Sequence, residues 1–234
     1  MKTSTEVPSL NQQDFYDRRF QTIVSPQQAQ TIRRFYVEKM IDILAENTVI
    51  DNGSRILEIG TGQGRIMEMM SEHFSRCHLE GIDISAKNVL SSRAKGLKVD
   101  LNDANRLETT NHYDFIYGTA ILHHLDDLSS FFASVFKMLK SKGSILFGPE
   151  PVWYALGYIL YHKLRGSWDV ERGMMKISAT SLKRYLTAAG FSGIRIYRHG
   201  TPFMYFSKSL GRFWNMSRLS KIAFLNDIYI YAQK

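Results

Sequence analysis

Hydrophobic positions along the first two thirds of the chain follow two alternating patterns. Short apolar runs are typical of buried strands, and between them lie longer stretches whose apolar residues recur every three or four positions, as on a helix. The runs predict strands at Arg55–Ile59, Leu79–Ile84, Leu97–Val99, Tyr113–Tyr117 and Ser144–Phe147. Strands and helices that alternate in this way form a parallel sheet covered on both faces, so the predicted fold class is doubly wound α/β.

Local signals place the helices. Ser25-Pro26 reads as an N-cap followed by proline in the first turn, and the turn at Asp51-Asn52-Gly53 should end the helix that begins there. Further helices are predicted at Arg65–Phe74, Ser85–Ala94, Leu128–Leu139 and from Thr180 or Ser181 to Gly190. Two more strands are expected at Ile194–Tyr197 and Ile228–Tyr231.

These elements predict one domain that spans the 234 residues. Residues 1–48 should form an N-terminal helical cap, and residues 49–150 a cofactor-binding core. Residues 151–178 and 200–225 are rich in aromatic and basic side chains and do not follow the alternation of strands and helices. We therefore expect them to be insertions on the acceptor side of the site.

Composition excludes some classes of protein. Hydrophobic residues make up 44% of the chain and charged residues 22%, which excludes wholesale disorder. Cys77 is the single cysteine, so neither an intramolecular disulfide nor a four-cysteine zinc site can form. The first ten residues lack the apolar core of a signal peptide, and we expect a cytoplasmic protein, with peripheral membrane attachment left open.

Positive charge is concentrated in the last third. The whole sequence has 30 Lys+Arg and 22 Asp+Glu, a net charge of +8. Residues 1–150 hold 17 basic and 19 acidic residues, whereas residues 151–234 hold 13 and 3. A basic protein often binds nucleic acid or an anionic membrane. Here the excess lies in the part predicted to recognise the acceptor. A packed lid whose arginines form a solvated face is the alternative interpretation.

A glycine loop carries the sharpest chemical signal. Glu58-Ile59-Gly60-Thr61-Gly62-Gln63-Gly64 follows the first predicted strand and precedes a helix. Its glycines permit a tight turn and a close approach of ligand to backbone. A nicotinamide site prefers a third glycine at position 65, where Arg65 stands. The acidic residue before the loop instead suits a ligand with an ammonium group.

Two further carboxylates follow the next strands. Asp83 ends the second predicted strand, where a carboxylate can accept hydrogen bonds from both hydroxyls of a ribose. Asp103-Ala104 follows the third, where a carboxylate can meet an adenine amino group. S-adenosylmethionine has a ribose, an adenine and an α-amino group, and it matches all three acidic positions.

Taken together, these motifs resemble the class I S-adenosylmethionine-dependent methyltransferases over roughly residues 50–150. The resemblance rests on the loop, on Gly81–Ser85, on Asp103-Ala104 and on Tyr113–Ile116 ending in Leu122-His123-His124-Leu125. It implies a Rossmann-like sheet of seven strands whose last strand runs antiparallel. It also implies a cofactor site formed by Glu58, Gly60, Thr61, Gly62, Gly64, Asp83, Ile84, Asp103 and Ala104, with Tyr16 as an aromatic cap over the cofactor.

Methyl transfer to an alcohol requires removal of a proton, and histidine suits that task at neutral pH. His123 and His124 follow the fourth predicted strand at the ligand-binding end. Adjacent residues there cannot both face the pocket, so one of them is the candidate base or acceptor-binding residue, and His124 is preferred. A purely structural use of both histidines is the alternative. Glu150, after the fifth strand, is a second polar candidate, although an exposed surface glutamate is the simpler interpretation.

Several alternatives remain open for the acceptor. The predicted function is O-methylation of a small-molecule, sugar or lipid-linked acceptor, with contact to an anionic membrane as one version. An RNA methyltransferase is less favoured because no appended nucleic-acid-binding module is visible. A cofactor-binding interaction protein without turnover is the alternative from another class. No metal site is expected, since Asp126-Asp127 is a poor match to a magnesium-binding cluster.

Overall fold

The structure, a computed structural model, describes residues 26–151, 159–160, 163–164, 168–199 and 227–234. Tyr16, the Ser25 cap and the insertion 200–225 lie outside these ranges, as does most of the stretch from 152 to 167. Within the described ranges, none of the helices combines the length and hydrophobicity needed to cross a bilayer.

Seven strands form one mixed sheet in the order β3-β2-β1-β4-β5-β7-β6. Their bounds are β1 Arg55–Ile59, β2 His78–Asp83, β3 Val99–Leu101, β4 Tyr113–Gly118, β5 Leu139–Glu150, β6 Ser192–His199 and β7 Asp227–Gln233. The first five strands pair in parallel, and β7 pairs antiparallel with both β5 and β6. The expected fold class, with seven strands and an antiparallel last strand, is confirmed.

Helices connect the strands and cover the sheet. They are α1 Pro26–Asn47, α2 Arg65–His73, α3 Ala86–Arg93, α4 Leu128–Met138, α5 Trp168–Glu171 and α6 Ala179–Ala189, with 3-10 turns at Leu122–His124 and Arg172–Lys176. Local chemistry explains several ends. Ser85 and Asp127 cap α3 and α4 with side-chain hydrogen bonds, and Gly190 ends α6 in the left-handed conformation.

The sheet divides the core into two main layers. On one face α4 and α6 pack on residues such as Ile116, Phe147 and Ile230. On the other, α1 and α2 pack on Ile56 and Tyr117. Because strand side chains alternate between faces, Glu58 and Tyr117, which are register partners on β1 and β4, both lie on the α1–α2 side.

Several predicted boundaries differ from the observed ones, β5 most of all, which runs from Leu139 to Glu150 instead of Ser144 to Phe147. Two of the differences have a clear local cause. The third strand was expected at Leu97–Val99 but begins at Val99, because Leu97 packs against Gly64 at the start of α2 and Val99 pairs with Gly81. Helix α6 was expected to begin at Thr180 or Ser181. It begins earlier because Ser178 and Ser181 form a reciprocal capping box.

Candidate cofactor and methyl-transfer site

A cleft opens at the carboxyl ends of β1 to β4, where open α/β sheets bind their ligands. Its walls come from the glycine loop, the end of β2, the β3–β4 connection and the turn after β4. It is lined by Gly60, Gly62, Ile82, Asp83, Ile84, Asn88, Asn102, Asp103, Ala104, Asn105, Ala120, Ile121, His124 and Leu125. The topology therefore brings most of the residues singled out in the sequence to one place.

The three glycines of the loop have different structural roles. All have positive φ, which favours glycine. A Cβ on Gly60 would meet Ile121 Cδ1 at 2.8 Å, and one on Gly64 would meet the Leu97 side chain and Ser92 Oγ. A Cβ on Gly62 would meet nothing within 4 Å. Gly62 is thus the position where a ligand has open access to the backbone, whereas Gly64 allows close packing of α2 against its neighbours.

Asp83 links the second strand to the glycine loop. Its Oδ2 accepts a 2.7 Å hydrogen bond from the Gly62 amide, and its Oδ1 accepts bonds from the Ser85 amide at 2.9 Å and from Asn88 Nδ2 at 3.2 Å. Asp83 is buried, with 8% of its surface exposed, and it still lines the cleft. These bonds fix the orientation of the carboxylate without a bound ligand.

The β3 side of the cleft is more open. Asp103 is half-buried, and its Oδ1 accepts bonds from the backbone and side-chain nitrogens of Asn105. Ala104 packs partly against the core, and Ile84 lies half-buried across the cleft. This wall offers a carboxylate and apolar surface, which together suit the amino edge and the flat face of a purine.

Glu58 lies below the cleft, almost completely buried. Within the described residues neither carboxylate oxygen makes a hydrogen bond of normal geometry, and the same holds for the Tyr117 hydroxyl beside it. Burial raises the pKa of Glu58 well above its ordinary range, the Asp83 charge raises it further, and Tyr117 offsets part of the rise. A buried carboxylate in this state gains most from a positively charged partner.

His123 is clamped between two carboxylates. Its Nδ1 lies 2.8 Å from Glu150 Oε2 and its Nε2 lies 3.2 Å from Glu171 Oε2. Glu150 is fully buried and its Oε1 accepts bonds from the Ile121 and Leu122 amides at 2.8 and 2.9 Å. Burial lowers the pKa of His123, but the hydrogen bonds that the two glutamates accept from the ring, together with their negative charges, outweigh this effect and raise that pKa to about 9.

His124 has a different environment from its neighbour. It is half-buried and lines the cleft, whereas His123 is buried and points away. The two imidazole rings lie with their centroids 3.8 Å apart and their planes at 47°. Of the two histidines, His124 is therefore the one beside a ligand in the cleft.

Not every residue expected at the cofactor lines the cleft. Glu58, Thr61, Gly64 and His123 do not. Thr61 is buried and its hydroxyl donates to the Ile82 carbonyl at 3.2 Å, which ties the loop to β2. Its role and that of Gly64 are to shape the loop that Gly60 and Gly62 present.

Sequence reasoning misjudged or missed other residues. The interpretation of Glu150 as an exposed glutamate was wrong, because the carboxylate lies inside and anchors the Leu122–His124 turn. Glu171 was missed, since nothing near it in the sequence marks a functional residue. Asn88 was also missed, although its place one turn after the Ser85 cap could have indicated that it faces Asp83.

The residues present fit S-adenosylmethionine. Gly62 leaves open space, Asp83 is held at the cleft wall, and Glu58 is a buried carboxylate whose oxygens have no hydrogen-bond partner among the described residues. An adenosyl ligand has ribose hydroxyls that suit Asp83, and its ammonium and sulfonium groups carry positive charge that suits Glu58. The carboxylates Glu58 and Asp83 beside the loop favour such a ligand over a dinucleotide, because they would repel the negative charge of a pyrophosphate.

Comparison with known proteins agrees with this assignment. Residues 29–196 match a family described as "Methyltransferase domain". A malonyl-[acyl-carrier protein] O-methyltransferase of Bacillus anthracis is 26% identical over 128 residues, which are 53% of this chain and 48% of that protein. Phosphoethanolamine N-methyltransferase 1 of Arabidopsis thaliana is 34% identical over 140 residues, 56% of this chain and 26% of that protein. The chain thus spans half or less of the length of these relatives.

A solved structure shows the same fold. Haemonchus contortus phosphoethanolamine N-methyltransferase 2 in complex with S-adenosyl-L-methionine matches with a TM-score of 0.66 and 16% identity, over 95% of this chain and 60% of that one. The family match covers well over half of the sequence and includes every element that forms the cleft. The chain belongs to the methyltransferase-domain family of class I S-adenosylmethionine-dependent methyltransferases.

Proposed function

We propose that this chain transfers a methyl group from S-adenosylmethionine to an oxygen atom of a small-molecule acceptor, with His124 as general base. The observation that carries the proposal is the position of His124, which lines the same cleft as Gly62 and Asp83. The cofactor, when bound, supplies a methyl group on a positively charged sulfur, so the chain needs to hold the acceptor in line and take its proton.

Each proposed binding residue has a distinct task. Asp83 would accept hydrogen bonds from the ribose hydroxyls, and Asp103 with Ala104 and Ile84 would hold the adenine. Gly60 and Gly62 would line the methionine part, while Glu58 would balance its positive charge. Tyr16 is proposed as a cap over the cofactor, although it lies outside the described residues.

A histidine base separates this proposal from the other transfer types among the relatives. Their names include an O-methyltransferase and N-methyltransferases. An alcohol must lose its proton as the bond to carbon forms, and a positioned base accelerates this by about 10²–10⁴-fold. An amine that arrives neutral has no such need. Dependence on His124 therefore distinguishes an oxygen from a neutral amine as acceptor, whereas the C-methyltransferase among the relatives is distinguished by the identity of the product.

The acceptor class that we propose is based on the composition of the last third of the chain. Residues 151–234 carry a strong excess of Lys and Arg, and residues 151–161 are apolar and aromatic. This composition supports an acceptor with an anionic group and an apolar part, such as a sugar phosphate linked to lipid. A lipid-linked acceptor would place this side of the protein against an anionic membrane.

The experiment is a turnover screen with isotopically labelled cofactor against sugar, lipid-linked, polyketide, carboxylate, amine and RNA acceptors, read by product mass. We expect an oxygen-methylated small molecule, and His124→Ala should lower kcat by about 10²-fold with little change in cofactor affinity. His78→Ala is the matched control, because His78 is exposed at the opposite end of β2. Methylation of an amine or RNA that survives His124→Ala would contradict the proposal.

Membrane contact is tested separately by flotation with vesicles that contain anionic lipid. Binding that disappears at high salt would support a lipid-linked acceptor, since screening weakens exposed charge interactions. Failure to float with either anionic or neutral vesicles would restrict the acceptor to water-soluble molecules.

A further inference from the structure

A buried carboxylate helps to hold the turn that carries His124. Glu150 Oε1 accepts the Ile121 and Leu122 amides, so the end of β5 holds the start of the turn. The turn closes on itself through the His124 amide, which donates to the Ile121 carbonyl at 3.0 Å. The position of His124 therefore depends on how firmly Glu150 and its partners are fixed.

A second segment contacts the same turn from the acceptor side. Gly173 packs directly on the His123 carbonyl, with no room for a Cβ. Two residues earlier, Glu171 reaches His123 Nε2 with a side chain that is 13% exposed. Met174 and Ile177 are fully buried and fix this segment in place. His123 is thus the point where the cofactor-binding core and the acceptor-side insertion meet.

Proton balance in this cluster follows from its geometry. Glu150 already accepts two backbone N–H groups, and its Oε2 faces His123 Nδ1, which must therefore carry a proton. On the other side of the ring, Nε2 faces a carboxylate oxygen at 3.2 Å. Without a proton on Nε2, the two lone pairs at that separation would repel each other in a site where the His123 side chain is 4% exposed.

We infer that Glu150 and Glu171 hold His123 as a doubly protonated imidazolium, and that this clamp is the positioning device that keeps His124 at the cleft. The inference rests on the proposed function, because positioning matters only if His124 acts on an acceptor. His123 itself does not line the cleft and serves as a positioning residue. Because the rings of His123 and His124 are in contact, the fixed orientation of the His123 ring restricts the orientation of the His124 ring.

The clamp also explains why the acceptor side needs a carboxylate at position 171. With Glu150 alone, the Nδ1–H group of a neutral His123 would have a hydrogen-bond acceptor, whereas Nε2 would have no partner in this pair. Glu171 adds the second acceptor, so the ring becomes fixed from both nitrogens. In this arrangement the cofactor core is connected to the insertion by charge-assisted hydrogen bonds, which are about twice as strong as neutral ones.

The test uses the full-length protein with ¹⁵N-labelled histidine and NMR, so it needs no acceptor. Absence of the signal in His123→Gln assigns it among the seven histidines. We expect both ring nitrogens of His123 to be protonated at neutral pH, with titration near pH 9. Glu171→Gln keeps the shape but removes the charge, and it should lower that midpoint by about one pH unit or more and broaden the His124 signals.

Glu108→Gln is the matched control, because Glu108 is exposed and does not line the cleft. It should leave the His123 midpoint and the His124 signals unchanged. A singly protonated His123 at neutral pH would overturn the inference, and so would an unchanged midpoint in Glu171→Gln. Titration with Zn²⁺ provides a further check, since His123, His124 and Glu171 offer ligand atoms within 4.8 Å of one another. Stoichiometric binding that removes the Nε2 proton would also overturn it.

Turnover separates this inference from the proposed function. Glu171→Gln should retain S-adenosylmethionine affinity by calorimetry and lower kcat about tenfold or more, because Glu171 does not line the cofactor cleft. Unchanged kcat would contradict a positioning role even if the NMR titration agreed. Failure to find any methylated product contradicts the proposed function, whereas the protonation state of His123 and the order of His124 still decide whether the clamp exists.

Discussion

The Gly62 amide donates a 2.7 Å hydrogen bond to Asp83 Oδ2, across 21 residues of sequence. This bond joins the glycine loop after β1 to the carboxylate at the end of β2. Neither residue moves independently of the other, so the loop and the proposed ribose site form one unit. The same carboxylate also accepts from Ser85 and Asn88, which anchors it to the start of α3.

Replacing Asp83 with asparagine should therefore weaken cofactor binding. An amide offers one acceptor oxygen where the carboxylate has two, so its NH₂ group must face a donor, either Gly62 or the α3 amides. We expect S-adenosylmethionine affinity to fall about tenfold or more, measured by calorimetry. Asp100→Asn is the control, because that side chain is 71% exposed on β3 and outside the cleft lining. Equal affinity in both variants would exclude the ribose assignment.

Substitutions of two loop glycines should affect cofactor binding and protein stability to different degrees. Gly64→Ala places a Cβ against Leu97 and Ser92, and overpacking of this kind costs about 1–3 kcal/mol, which thermal denaturation would detect. Gly62→Ala has open space around it and should be less destabilising, but its methyl group points where a ligand approaches and should lower cofactor affinity.

Gly96→Ala is the matched control for both glycine variants. It has a positive φ and no neighbours within 4 Å, so it shares the backbone strain without the cleft or the packing contact. Should Gly62→Ala bind the cofactor as well as Gly96→Ala does, the loop would not lie against the ligand.

Glu58→Gln should stabilise the cofactor-free protein while weakening cofactor binding. The pKa of Glu58 is raised above its ordinary value of 4.5, so its ionisation destabilises the fold increasingly as pH rises above that value. A neutral glutamine removes this pH-dependent cost, so we expect the variant to be more stable than the wild type at neutral pH. Denaturant unfolding measures it, with the exposed Glu72→Gln as control. Lower stability together with unchanged affinity would show that Glu58 is only structural.

Protonation of His123 should give the fold a characteristic pH dependence. Its pKa is raised from 6.5 to about 9, so its contribution to stability is complete below 6.5 and is lost as pH rises through about 9. We expect the melting temperature of the wild type to fall over this window and that of His123→Gln to change less. Parallel curves for the two proteins would mean that His123 is neutral in the folded state.

Much of the fold could be predicted because local signals and hydrophobic periodicity agree there. The strand at Arg55–Ile59, the cap at Ser85 and the C-terminal glycine at Gly190 are all as expected. The start of β3 could not be predicted, because Leu97 is an apolar residue that packs in the loop rather than in the strand. Only the three-dimensional neighbour, Gly64, explains its place.

The site shows the same division between local and distant information. Asp83 and the loop glycines lie at strand ends, so topology alone brings them together. Glu171 and Glu150 meet at His123 from positions 48 and 27 residues away, and no spacing rule connects them. The sequence does not show which of the two adjacent residues His123 and His124 faces the cleft. That assignment depended on the burial of each side chain.

Binding of S-adenosylmethionine to the wild type and to Asp83→Asn, measured by isothermal titration calorimetry with thermal denaturation as a check on folding, tests the central claim most directly. We expect one cofactor per wild-type chain and clearly weaker binding to a folded Asp83→Asn variant. No detectable binding to the folded wild type, or equal binding to both proteins, would contradict the proposed cofactor site.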